Sequence, residues 1–274
     1  MKSDPLTRGH ISNADWNVPE FDYIAFRTQR SKYCLVIPVI NEGERLTAQL
    51  KIMAELGHMN LVDVIIADGG STDGSTTPAA LSQLGVAALL VKRGAGKLSA
   101  QLRTAYAWAL DREYEGIITI DGNGKDSVDT VPRFIDALES GVDYAQASRF
   151  IQGGKGINTP PIRWLAVRLI HAPMLSLAAG KWLTDTTQGF RGYSARYLLH
   201  PDVQPFRSVF SSYELLAYLT VRASQLGFTV TEIPTCREYP ATGPIPTKIS
   251  SISGVFELMG TLLATVARRF HPKH

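Results

Sequence analysis

Cysteine is scarce. The 274-residue chain holds two, Cys34 and Cys236, which make no disulfide framework. Cys34 lies inside an apolar run and reads as a small buried hydrophobe. A reducing, cytoplasmic location fits. Long apolar runs are missing too: no stretch of about 18 uncharged apolar residues occurs, so no transmembrane helix is expected. Residues Met1 to Trp16 are polar and contain no apolar segment of the secretory-signal type. The charge excess is small, 28 Lys+Arg against 25 Asp+Glu, a net +3. That is too mild to imply nucleic acid, and no nucleic-acid partner is expected. Two nucleotide signatures are absent as well. No Gly-x-Gly-x-x-Gly turn follows the first predicted strand, which argues against a dinucleotide fold. No Gly-Lys-Ser/Thr P-loop is present.

What remains is ordinary globular composition, 45% hydrophobic and 19% charged, with enough chain for a sizeable core. Short apolar runs alternate with helical spacing. Tyr33 to Ile40, Val62 to Ala67, Val86 to Lys92, Gly116 to Ile120 and Asp143 to Ala147 read as strands. Arg45 to Leu56, Pro78 to Leu84, Leu98 to Arg112 and Val128 to Leu138 read as the helices between them. Strands that are continuous apolar runs, alternating with helices, predict a Rossmann-like α/β fold with a mostly parallel sheet covered on both faces. Residues 1–31 are polar and irregular, an arm lying on the body. After Phe150, Ile162 to Trp182 predicts one or two amphipathic helices broken near Pro173. Ser212 to Leu226 predicts a helix containing Glu214, Phe228 to Pro234 a strand, and Ile252 to Phe270 a final amphipathic helix with a basic end.

A parallel sheet places the loops after residues 40, 67 and 120 on one edge, where ligands of open α/β sheets bind. The last loop carries Asp121, Gly122, Asn123, Gly124, Lys125 and Asp126. Asp121 and Asn123 offer oxygen ligands for a hard cation, Mg²⁺ or Mn²⁺. Alone, this stretch is better explained as a strand-to-loop turn. Glu42 and Asp68 end the two neighbouring strands, and Arg93 and Lys97 supply basic donors nearby. A nucleoside diphosphate needs this combination. Each residue also has a plainer reading. Glu42 suits a helix start; Asp68 and Asp73 suit helix caps; Arg163 and Arg168 suit snorkelling side chains; Glu214 suits a paired structural acid; His171 suits a structural histidine.

The ordered set carries a resemblance. Val36-Ile37-Pro38-Val39-Ile40-Asn41-Glu42, Ile66-Ala67-Asp68-Gly69-Gly70-Ser71-Thr72-Asp73-Gly74-Ser75 and Ile120-Asp121-Gly122-Asn123 resemble the donor-site motifs of glycosyltransferase family 2, a family with the GT-A fold. The second half is similar to the polyprenyl-phosphate hexose synthases of the dolichol-phosphate mannose synthase type. The matching pieces are Ala147-Ser148-Arg149-Phe150, Thr184-Asp185-Thr186-Thr187-Gln188-Gly189-Phe190-Arg191, Glu232-Ile233-Pro234, and Arg237 through Thr247-Lys248. The resemblance spans roughly residues 33–250. It implies a catalytic domain over 32–250, with a donor half at 32–150 and an acceptor half at 151–250, between the 1–31 arm and a 251–274 amphipathic helix.

By that resemblance, Pro38, Glu42 and Asp68 hold the nucleoside, with Gly96 and Lys97 in the adjoining loop. Asp121 and Asn123 stand at the Asp-x-Asp that binds metal and donor diphosphate. Arg149, Arg163 and Lys248 match the grip on an acceptor phosphate, with Asp185 and Gln188 flanking it. Asn123 and Lys125 are departures. Asn123 is a weaker metal ligand than Asp, for which Asp126 is the candidate compensation, and Lys125 is a cation able to offset diphosphate charge directly. The implied reaction is inverting transfer of a hexose from a nucleotide-diphosphate sugar to a polyprenyl-phosphate-type acceptor, in surface polysaccharide or glycolipid synthesis. A phosphate acceptor needs no general base, because its second pKa is about 6. Asp121, Arg149, Asp185 and Glu214 are the catalytic candidates. Two alternatives stand beside it: a saccharide hydroxyl acceptor, with Glu214 or Asp185 as base, and a non-catalytic nucleotide-binding protein with a decayed metal site. The final helix reads as an oligomer contact or as a peripheral anchor on the inner face of a membrane.

Overall fold

The computed structural model describes residues 6–242 and 252–272. The strands are β1 (Thr7–Arg8), β2 (Phe21–Ala25), β3 (Tyr33–Val39), β4 (Asp63–Asp68), β5 (Ala88–Lys92), β6 (Gly116–Thr119), β7 (Tyr144–Ser148), β8 (Lys155–Ile157), β9 (Arg191–Ser194), β10 (Val230–Pro234) and β11 (Cys236–Glu238). The helices are α1 (Glu44–Glu55), α2 (Pro78–Gln83), α3 (Leu98–Leu110), α4 (Val131–Glu139), α5 (Pro161–Ala166), α6 (Ala172–Ala179), α7 (Ala195–Leu198), α8 (Glu214–Gln225) and α9 (Ile252–Val266).

One nine-stranded sheet runs β1-β2-β5-β4-β3-β6-β9-β7-β10. Neighbours β5, β4, β3 and β6 are parallel, and so are β7 and β10. β9 is antiparallel to both β6 and β7, so β7 points the same way as β6. One face is closed by α1 and α4, whose Leu46, Leu50, Val131 and Phe134 pack with Ile37, Ile66 and Ile118. The other is closed by α3, α6, α8 and α9 through Leu102, Tyr106, Leu175, Leu215, Leu219 and Leu262. Burial on both faces is why the central strands read as unbroken apolar runs.

Strand order reverses about β3: β4 and β5 lie to one side, β6 to the other. Here the sheet opens. The β3–β6 ladder ends at Val36↔Thr119, while β3–β4 continues to Val39↔Asp68. Pro38 therefore sits in a central strand without breaking a ladder, because β6 has already turned away from it. Gln101 of α3 fills the base of the opening, its amide nitrogen donating to the carbonyls of Val39 (2.8 Å) and Ala67. Such a switch point is where open α/β sheets bind ligands.

Three expectations change. The N-terminal segment is not irregular: β1 and β2 extend the sheet, with β2 antiparallel to β5. Beside the two-residue edge strand β1, Asp22 and Tyr23 stay half-buried, which hides the strand pattern. β9 was not anticipated either, because its first residue is the buried Arg191. The helix beginning at Pro161 does not break near Pro173. A π-helical turn, Val167–His171, joins α5 to α6 and delivers Pro173 to the first turn of α6, where its missing N–H costs nothing. The whole element, Pro161–Ala179, is 19 residues long with mean hydropathy 1.2, long and apolar enough to cross a membrane by length and composition. Arg163 and Arg168 interrupt its apolar run, which is why no transmembrane helix was expected here.

Candidate active site

The carboxyl ends of β3, β4, β5, β6, β7 and β10 share one edge, and the donor-side residues follow from it. After β4, Asp68 is buried, and its Oδ1 accepts from Gly70 N (3.0 Å), Ser71 N (2.8 Å) and Ser71 Oγ (2.7 Å). Its Oδ2 accepts from Thr76 Oγ1 (2.9 Å). The side chain thus shapes the loop whose rim faces β3. Asp73 is not a helix cap. Its Oδ2 accepts from Gly43 N at 2.8 Å and so staples this loop to the one after β3, while Thr77 occupies the α2 cap. Glu42 is buried, with Oε2 3.0 Å from Arg45 Nη2.

Gly96 is required by its surroundings. It has φ +103°, and a Cβ there would lie 2.9 Å from the Ser211 carbonyl oxygen. Lys97 N donates to that same oxygen (2.7 Å), so the loop after β5 rests on the segment before α8. The Lys97 ammonium pairs with Glu257 of α9 (2.8 Å), and Arg93 pairs with Asp22 of β2 (2.8 Å). Glu214 opens α8 rather than lying mid-helix, and its Oε2 accepts from Ser212 N at 2.7 Å.

Asp121 follows β6 directly across the opening from Pro38. Its carboxylate is one-quarter exposed, and Asn123 Nδ2 donates to its Oδ2 at 3.3 Å. Its other oxygen backs onto Gly189, where a Cβ would lie 2.9 Å from Asp121 Cγ and closer still to Oδ1. Asp126 does not reinforce this pair. It is fully buried and held by Arg237 Nη1, so it is not available to compensate for Asn123. Arg237 reaches both acids, with Nη2 3.3 Å from Asp121 Oδ2. Burial alone would lower the Arg237 pKa, but the Asp126 and Asp121 carboxylates raise it. Burial, with Arg237 beside it, brings the Lys125 ammonium down to about 8. The oxygens of Asp121 and Asn123 suit a hard divalent cation that takes its remaining ligands from phosphate oxygens. Among the described residues no larger cluster of acids, histidines and cysteines exists.

The acceptor side is built on Arg149, just after β7. Its Nε and Nη2 reach the two oxygens of Asp185 at 2.7 and 3.0 Å, and Nη2 also donates to Thr187 Oγ1 (3.1 Å). Gln188 Nε2 donates to Asp185 Oδ2 at 2.6 Å, and Gln188 Oε1 accepts from Thr235 Oγ1. Burial alone would raise the Asp185 pKa; the Arg149 hydrogen bonds and charge outweigh it and hold the carboxyl below its ordinary range. Asp185 and Gln188 therefore aim Arg149 rather than standing free to take a proton. Arg149 Nη1 donates to Tyr239 Oη at 3.2 Å, and Arg163 Nη1 does so at 3.5 Å. His171, in the π turn, shares a 2.6 Å hydrogen bond with Thr186 Oγ1, and burial drops its pKa to about 4. Lys248 lies outside the described residues.

The site thus gathers Pro38, Asp68, Asp121, Asn123, Arg149, Asp185 and Gln188 along one edge. Sequence reasoning assigned no role to Arg237, Tyr239 or Gly189. Arg237 and Tyr239 act through partners over 75 residues distant in sequence, which no local pattern reports.

A parallel sheet opened at its switch point, with an acid loop on one side and a buried arginine on the other, is the GT-A arrangement of a glycosyltransferase. The chain belongs to glycosyl transferase family 2, whose family model matches residues 34–199. It is 29% identical over 211 residues to polyprenol monophosphomannose synthase of Mycolicibacterium smegmatis, covering 76% of this chain and 77% of that one. It is 29% identical over 207 residues to undecaprenyl-phosphate mannosyltransferase of Micrococcus luteus, covering 73% and 80%. Among solved structures it is similar to glucosyl-3-phosphoglycerate synthase of Mycobacterium tuberculosis, crystallised with Mn²⁺, UDP and glucosyl-3-phosphoglycerate. That match has a TM-score of 0.58 at 13% identity and covers 86% of this chain and 79% of the other.

Proposed function

We propose that this glycosyltransferase moves a hexose from a nucleotide-diphosphate sugar to a polyprenyl-phosphate acceptor, with inversion at the anomeric carbon. The observation that carries the acceptor class is the buried Arg149, aimed by both oxygens of Asp185 beside Arg163. That side of the site offers cations; among the described residues its buried carboxylate, Asp185, is held by Arg149, and the half-buried Glu232 accepts from Thr184 and from the Asp185 backbone. An alcohol acceptor needs a base there; a phosphate monoester arrives already as an oxyanion. The two bacterial relatives are named for the same pairing of mannose and a polyprenyl phosphate.

In this reading the loops after β3 and β4, ordered by Asp68 and Asp73, hold the nucleoside with Pro38 and Glu42. Gly96 and Lys97 border the donor. Asp121 and Asn123 would hold a divalent cation, which would supply Lewis-acid stabilisation of the departing diphosphate. Lys125 and Arg237 add fixed positive charge beside it, where charge develops. Arg149, Arg163 and Lys248 fix the acceptor phosphate so that one of its oxygens attacks the anomeric carbon opposite the diphosphate. The new C–O bond forms as the bond to the diphosphate breaks.

The acceptor's lipid tail suits the exposed apolar surface beside Arg163. Ile162 and Leu177 are about four-fifths exposed, and Leu169, Trp182 and, on α9, Phe256 and Leu263 are also open. Such a surface, carrying Arg163, Arg168 and Lys181, fits an anionic membrane face. The test is transfer from radiolabelled UDP-, GDP-, CDP- and dTDP-hexoses to farnesyl phosphate with Mg²⁺ or Mn²⁺, with product stereochemistry read by NMR. One donor should give a product of inverted configuration. No lipid product with any donor would sink the reading.

A further inference from the structure

Tyr239 lies just past β11, two residues after Arg237, and the two side chains share a strand face. Its backbone N–H continues the pairing with β8, donating to Ile157 O at 3.0 Å. Arg237 faces the donor side, where it holds Asp126 and Asp121. Tyr239 faces the acceptor side, where its hydroxyl oxygen accepts from Arg149 Nη1 (3.2 Å) and Arg163 Nη1 (3.5 Å). Those arginines come from separate elements, the end of β7 and helix α5. Among the described residues, Tyr239 is the one hydrogen-bond partner of the Arg163 guanidinium. The ring adds three cation–π contacts: Lys125 Nζ at 5.5 Å, Arg163 at 5.6 Å and Arg237 at 5.8 Å from its centroid.

The crowding of charge explains why such a residue is needed. Lys125, Arg149, Arg163 and Arg237 gather beside Asp121, Asp126 and Asp185. Lys125, Arg149 and Arg237 are almost fully buried. Like charges this close repel, and while Asp185 holds Arg149 and both Asp126 and Asp121 hold Arg237, no carboxylate among the described residues sets Arg163 beside them. A phenol does, through one oxygen and an electron-rich face. The phenol itself responds: burial would raise its pKa, but Arg237, Arg163 and Arg149 bring it down to about 8.

We propose that Tyr239 is the positioning residue of the acceptor side, bringing Arg149 and Arg163 to one point and setting that point relative to Asp121 through Arg237 on the same strand. This rests on the phosphate-acceptor reading. It goes beyond it by giving the spacing between the two halves of the site to one aromatic residue.

The test is Tyr239→Phe, which keeps the ring and its cation–π contacts and removes the hydroxyl. Hydrogen bonds to charged groups are the stronger class. The acceptor KM for farnesyl phosphate should therefore rise about tenfold or more. The kcat and the KM for the sugar nucleotide should stay within error, and the melting temperature should fall by only a few degrees. In an Arg163→Gln background the same change should cost threefold or less, because the two residues act as a unit. An unchanged acceptor KM, a fall in kcat alone, or full additivity with Arg163→Gln would overturn the proposal. The outcomes separate cleanly. A wild-type enzyme that glycosylates farnesol and not farnesyl phosphate overturns the phosphate reading and this proposal with it. A wild-type enzyme that uses farnesyl phosphate, with Tyr239→Phe behaving identically, overturns this proposal alone. If Tyr239→Phe melts early, Tyr239→Trp keeps an aromatic face without the oxygen contact and is expected to show the same KM-selective loss; a normal acceptor KM there would count against the proposal.

Discussion

Gly189→Ala places the smallest side chain at the back of Asp121. The added Cβ would lie 2.9 Å from Asp121 Cγ, whereas ordinary contacts begin at 3.4 Å, and Oδ1 is nearer still. The carboxylate must move by on the order of 1 Å, enough to lower a reaction rate about a hundredfold. Gly189 has no positive φ, so Ala introduces no backbone strain of its own. The predicted result is a kcat/KM for transfer down by about two orders of magnitude, with the circular dichroism spectrum retained. Gly260→Ala is the matched control. It makes the same chemical change in α9, where a Cβ meets nothing within 4 Å. Activity should be unchanged, and stability should rise by up to about 1 kcal/mol from helix propensity. If Gly189→Ala retains activity within threefold, the placement of Asp121 against the Gly189 backbone is not what orients the acid.

Asp185→Asn should leave Arg149 as a buried charge without its partner, costing about 3–5 kcal/mol and lowering the melting temperature by roughly 10 °C. The folded pKa of Asp185 is depressed, so its contribution is complete above the unfolded value and fades as pH falls through the folded one. The gap between wild type and variant should therefore close in acid; a constant gap would argue against the ion pair as its cause. His171 acts in the same direction at higher pH. Its folded pKa of about 4 lies below the ordinary histidine value of about 6.5, so stability should fall as pH drops from 6.5 towards 4, by about 1.4 kcal/mol per unit of separation. His171→Gln should flatten that slope in thermal melts. Gly96→Ala should raise the sugar-nucleotide KM severalfold while leaving the acceptor KM alone, since the loop after β5 loses its seat on Ser211.

The sequence read best where burial is simple. β3, β4, β5 and β6 lie under helices on both faces, and their apolar runs say so. β9 failed that reading because Arg191 is buried among carbonyls, donating to Gln188, Leu216 and Thr186, and a satisfied buried arginine has the hydropathy of an exposed one. The continuity of the 161–179 helix was hidden by Pro173, since a π turn leaves no mark in composition. On the donor side, Asp121 and Asp68 were legible because their spacing after strands is local. The part played by Arg237 was not, because its two acids lie 111 and 116 residues earlier. Asp73 shows a middle case: it was expected as a helix cap, and instead it accepts from Ser75 in its own loop and from Gly43 N of a different one.

The acceptor class is the central claim, and matched acceptors test it most directly. Farnesyl phosphate and farnesol share a tail and differ in the group that attacks. With the donor identified, the account predicts a kcat/KM for the phosphate at least a hundredfold above that for the alcohol, and loss of that preference in Arg149→Gln. Equal or better transfer to farnesol would contradict it and place a general base in this site.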